Sequence, residues 1–137
     1  MTEGQLDTVF VRSVLNALEA DVHETATAKG WHDKPRSLGE EIALMHSELS
    51  EALEEVRTDQ PLIYYRLPDG RTSDKPYSSV QGSQIPNKTE GVAAEFADVI
   101  IRILDTARER KIPVIEAMLA KMEYNKTRSY RHGNKSL

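Results

Sequence analysis

The sequence predicts an all-α domain, a four-helix bundle with one insertion, and three observations lead there. Four segments repeat their apolar residues at three- and four-residue spacings, as helices with one buried face do. A single stretch, residues 59–89, breaks that period, with four prolines, two glycines and three tyrosines. The 137 residues are 39% apolar and 29% charged with no cysteine, a profile that suits one core without disulfide staples over residues 1–137.

The first helix is expected over residues 5–28, where Leu6, Val9, Phe10, Val14, Leu15, Leu18 and Val22 share a face, and Gly30 is its stop. A connection, "WHDKPRS", follows, in which Pro35 turns the residue before it away from helix. The second helix, residues 37–58, buries Ile42, Met45, Leu49, Ala52, Leu53 and Val56. Residues 59–89 form the insertion, a loop or hairpin between helices two and three. In it "IYYRLPDGRT" suits a short hairpin around Pro68, Asp69 and Gly70. So long a connection exceeds the ~12 to 15 residues usual for a passive loop. The third helix, "EGVAAEFADVIIRILDTARER", spreads Val92, Phe96, Val99, Ile100, Ile103 and Leu104 over a wide arc and is expected to be central. Pro113 opens a fourth helix whose stripe is Ile115, Met118, Leu119 and Met122, and a polar basic tail covers about residues 125–137.

Charge and hydropathy exclude several partners. No apolar run reaches the ~20 residues of a membrane span, and "MTEGQLDTVF" has neither the basic start nor the apolar core of a signal peptide, so a cytoplasmic protein is expected. The net charge is -4, but residues 121–137 carry five Lys or Arg against Glu123, which makes that end +4 and leaves -8 on the first 120 residues. An acidic body repels a nucleic-acid polymer. A small polyanion suits it, if metal ions neutralise the acids.

The acids themselves are not spread evenly. At ~100° per residue, Glu41, Glu48, Glu51 and Glu55 fall in one sector beside the apolar stripe of the second helix. Glu48 and Glu51 are three residues apart, as are Glu95 and Asp98 in the third helix. Gathered carboxylates raise one another's pKa and resist burial unless a cation joins them, and oxygen ligands suit Mg²⁺, with Mn²⁺ as a substitute. A solvated acidic face, with Arg102 pairing with Asp98 or Asp105, is the competing reading. Other chemistry is easier to discount. There is no cysteine nucleophile, the histidines at 23, 32, 46 and 132 lack His-Glu-x-x-His spacing, and no phosphate-binding Gly-x-x-x-x-Gly-Lys loop is present. Trp31 and Tyr130 read first as packing or surface residues; their neighbours, His32 and Lys34 for the one and Arg128, Arg131 and Asn125 for the other, also suit an aromatic face that stacks on a nucleobase.

In order along the chain, "HSELSEALEE", "EGVAAEFADVIIRILD" and "KMEYNKTRSYRHGNK" closely resemble the MazG-like nucleotide pyrophosphohydrolases of the all-α NTP pyrophosphatase superfamily. The resemblance implies a MazG-like bundle completed by oligomerisation to a homodimer or homotetramer. It also implies Mg²⁺-dependent cleavage of a nucleoside triphosphate to the monophosphate and pyrophosphate, in nucleotide-pool housecleaning. On this reading Glu48, Glu51, Glu95 and Asp98 are the metal ligands, Glu48 or Glu51 orients the water, and Lys121, Asn125 and Arg128 contact substrate with Tyr130 and Trp31. Two departures stand out: Ser47 occupies a place where the family often has a further glutamate, and the insertion separates Glu51 from Glu95 by far more than in short relatives. Phosphoribosyl-ATP pyrophosphatase, which shares the cleavage chemistry, and a non-enzymatic helical scaffold are the rival expectations.

Overall fold

A computed structural model describes residues 4–131 and residue 136. Four helices carry the chain: α1 (Thr8–Ala28), α2 (Leu38–Arg57), α3 (Val92–Arg110) and α4 (Val114–Thr127). Each starts where its local chemistry lets it. Asp7 caps α1 by accepting from the Val9 and Phe10 N–H groups. Ser37 and Glu40 cap α2 reciprocally, the Ser37 hydroxyl accepting from Glu40 N–H while the Glu40 carboxylate accepts from Ser37 N–H. Pro113 stands just before α4, where its missing N–H costs nothing.

The insertion overturns the all-α expectation. It contains five strands, β1 (Tyr64–Arg66), β2 (Thr72–Ser73), β3 (Tyr77–Val80), β4 (Ser83–Pro86) and β5 (Lys88–Glu90), so the protein is mixed α/β, with 12% strand in two small antiparallel sheets. One sheet has the order β2-β1-β5; the other is the β3-β4 hairpin. The β1-β2 hairpin closes around Pro68, Asp69 and Gly70, with Gly70 N–H donating to Leu67 C=O. The β3-β4 turn is Gln81-Gly82, both at positive φ, the backbone that two-residue hairpin turns require. These strands escape periodicity analysis because they are short and mostly exposed, so no alternation of apolar and polar side chains marks them. Backbone ladders and turn chemistry hold them instead.

The residues gather into two compact units, Lys34–Ile103 and Met1–Asp33 with Leu104–Leu137, and α3 runs from the first into the second. In the former, the three-stranded sheet anchors the start of α3. Gly91 follows β5 at a φ of +99°, and a Cβ there would stand 2.6 Å from the Leu62 carbonyl oxygen. That same oxygen accepts from Ala93 N–H in the first turn of α3. In the latter, α1 packs on α4, and Arg12 pairs with Glu116 at 2.6 Å. Among the described residues, no helix is long and apolar enough to cross a membrane. Of the tail expected over 125–137, residues 132–135 and 137 lie outside the described residues.

Candidate functional site

Helices α2 and α3 bring three of the four predicted carboxylates together. Ligand oxygens of Glu48, Glu95 and Asp98 all lie within 4.8 Å of one another, with Glu48 buried, Glu95 half-buried and Asp98 exposed. The three-residue step from Glu95 to Asp98 puts both on one face of α3, and the backbone of Pro61 and Leu62 closely approaches Gly91, just before that helix. Glu51, one turn beyond Glu48, stands outside this trio. With Glu95, Glu55, Thr58 and Tyr64 it lines an adjoining cavity of about 320 Å³. Tyr64 closes one wall, its hydroxyl donating to the Glu55 carboxylate, whose two oxygens are both 3.1 Å away.

Electrostatics divide the three acids of the trio. Burial pushes Glu48 up, but its hydrogen bond and ion pair with Arg102 outweigh that and hold it below its ordinary value. The guanidinium Nε lies 2.7 Å from Glu48 Oε1. Glu95 goes the other way: burial first, then the neighbouring Glu51 and Glu48, push it up to about 7. Asp98 is also raised, by burial and by the charge of Glu48, against the opposing pull of Arg102 and Lys88. Glu95 Oε2 is, among the described residues, a buried oxygen with no hydrogen-bond partner. Such an orphan is relieved in two ways, by sharing a proton with a neighbouring carboxylate or by ligating a cation.

No protein-family model, curated protein or solved structure matches the chain. The site is therefore read from its own donors. An all-oxygen set with one buried unpartnered oxygen could hold a metal ion.

The remaining predicted site residues lie in the other compact unit. Lys121 and Asn125 are exposed on α4, Arg128 ends that helix, and Tyr130 follows it, 79% exposed. The Arg128 guanidinium stands 5.7 Å from the Tyr124 ring centre, and Arg131 is equally far from that of Tyr130. Trp31 lies in the connection between α1 and α2. A larger cavity of about 580 Å³ in this unit runs between the start of α1 and α4, around the Arg12–Glu116 pair. Among the described residues its acids, Asp7, Glu116 and Glu123, belong to no gathered ligand group, so the candidate site is the smaller one.

Sequence reasoning missed the partner of Arg102 on α2. The competing reading pairs Arg102 with Asp98 or Asp105; its guanidinium makes an ion pair with Glu48 on α2, and its charge also draws Asp98 down. Its position seven residues after Glu95 and four after Asp98 places all three on one face of α3, a signal available from spacing alone.

Proposed function

We propose that the protein is a Mg²⁺-dependent nucleoside triphosphate pyrophosphohydrolase, converting a (d)NTP and water to the (d)NMP and pyrophosphate. The observation that carries this reading is the convergence of Glu48, Glu95 and Asp98 around the unpartnered Glu95 oxygen. Glu48, Glu95 and Asp98, with Glu51 beside them, would hold the ion. When bound, the ion lowers the pKa of a coordinated water and neutralises charge on the phosphates.

The chain's own residues have separable parts. Arg102 keeps Glu48 ionised and fixes its orientation, so that one ligand is ready before any ion arrives. Glu51, on the cavity wall, orients the attacking water and accepts its proton. Glu95 is the acid whose protonation opposes loading, because a cation must displace its proton. Tyr64 and Glu55 shape the far wall of the cavity and bind each other, which leaves Glu51 and Glu95 as its reactive edge.

Pyrophosphate release from a panel of ribo- and deoxyribonucleoside triphosphates, with Mg²⁺, with Mn²⁺ and with chelator, tests the reading. Metal-dependent release with a matching monophosphate is expected, and Glu51→Gln should reduce kcat by at least roughly 100-fold, as loss of a catalytic base does, with the circular dichroism spectrum unchanged. Activity retained by that variant removes Glu51 from its assigned role.

The Glu48–Arg102 pair favours a second reading, in which the acids serve a purely structural ion-pair network of a binding protein. On that reading Mg²⁺ leaves the melting temperature unmoved, whereas a metal site is stabilised by the ion in proportion to its occupancy.

A further inference from the structure

The unit formed by residues 1–33 and 104–137 holds a second group of ligating side chains. His23 on α1, His32 in the following connection, and Asp105 and Glu109 one turn apart on α3 converge. Asp105 is only 3% exposed, and its Oδ1 stands 3.0 Å from His23 Nδ1 and 2.8 Å from His32 Nε2. The two ring centres are 5.1 Å apart. The opposite nitrogens face Glu109 Oε2, at 3.3 Å from His23 Nε2 and 3.9 Å from His32 Nδ1.

One buried carboxylate oxygen thus accepts from both imidazoles. Each ring, donating through the nitrogen that faces Asp105, turns its other nitrogen toward Glu109. In the neutral tautomer that nitrogen carries a lone pair. Two lone pairs and a carboxylate directed at one region repel unless something positive lies between them, either ring protons or a metal ion. The geometry accommodates the metal, since ligand atoms of His23, His32 and Glu109 all lie within 4.8 Å of one another. Donors at 2.0 to 2.1 Å from a tetrahedral zinc are about 3.3 to 3.4 Å from each other, which the His23–Glu109 distance matches and the His32–Glu109 distance approaches. An imidazole whose second nitrogen donates to a carboxylate is also the usual arrangement of a metal-bound histidine, since that bond fixes tautomer and ring orientation.

We propose that His23 Nε2, His32 Nδ1 and Glu109 Oε2 form a second metal site, for a divalent transition ion of the Zn²⁺ type, with Asp105 as the residue that positions both imidazoles. Two nitrogen donors separate its preference from that of the all-oxygen site, which suits Mg²⁺. Glu109 is 44% exposed, which gives the ion a path in. Three protein ligands leave one position to water. The ion would tie α1, the α1–α2 connection and α3 together within this unit.

Calorimetric titration of the full chain with Zn²⁺, in excess Mg²⁺, tests the site in the unaltered protein and in His23→Gln, Glu109→Gln and Glu95→Gln variants. One Zn²⁺ per chain is expected for the unaltered protein and for Glu95→Gln. His23→Gln and Glu109→Gln should each bind at least roughly 10-fold more weakly, since even partners outside the ligand shell cost that much. Glu109 is partly exposed, so its variant is expected to fold even if a histidine variant does not. Histidine ring resonances of the unaltered protein give a reading free of mutation: His23 and His32 should shift with Zn²⁺ while the exposed His46 stays. No binding by the unaltered protein, binding retained by both site variants, or zinc that leaves the two rings unmoved would each overturn the proposal.

Discussion

At the scale of single residues, Glu95 and Arg102 govern the acidic site in opposite senses. Glu95 has an ordinary value of 4.5 and a folded value of about 7. An acid raised on folding is charged more easily when unfolded, so it weighs against the metal-free fold as pH rises from the lower value through the higher. Glu95→Gln should therefore raise the melting temperature of the metal-free protein by about 4 °C or more near pH 8. Near pH 5 the gain should be small, and a gain independent of pH would show that Glu95 is not the titrating group. Arg102→Met has the reverse effect, because it leaves Glu48 buried without its cation. A loss of about 3 kcal/mol is expected in denaturant titration. Mg²⁺ should recover part of that loss, whereas a structural network offers it nothing to bind. The Glu48–Arg102 pairing was half legible: periodicity places Arg102 on the face of Glu95 and Asp98, but the choice between Asp98, Asp105 and Glu48 depends on a helix 54 residues away.

At the scale of elements, helices and strands differed in how plainly they could be read. A helix is specified by contacts three and four residues apart, so α1 and α2 fall within three residues of their expected ends. Strand β1 pairs with β5 across the whole β3-β4 hairpin, and no local pattern announces that partner. Yet this pairing sets the start of α3 and hence the position of Glu95. Gly91→Ala puts a Cβ against the Leu62 carbonyl at a φ that L residues rarely adopt. It should cost about 1 to 3 kcal/mol and weaken the Mg²⁺-dependent thermal shift as α3 is displaced. A variant with both properties unchanged would mean that the sheet does not position the site.

At the scale of the whole molecule, the distribution of apolar surface bears on assembly. Among the described residues no large side chain is fully buried, and Val9, Phe10, Val56, Leu62, Phe96 and Ile100 are all more than half exposed. Helical stripes predicted to be buried are thus partly open in a single chain, and we propose that a second copy covers them. Light scattering at micromolar concentration should give a dimer or larger, and a monodisperse monomer would refute that. What the sequence alone determined is what short-range chemistry governs: four helices, the hairpin at Pro68, Asp69 and Gly70, and the acid pairs at three-residue spacing. What only the tertiary structure decided is what depends on partners distant along the chain: the two sheets that make the fold mixed α/β, the Glu48–Arg102 pair, the orphaned Glu95 oxygen, and the meeting of His23 and His32 with Asp105. The physical reason is common to all of these. A side chain's own periodicity tells which face it occupies, but the group it meets there is chosen only when elements separated by tens of residues pack.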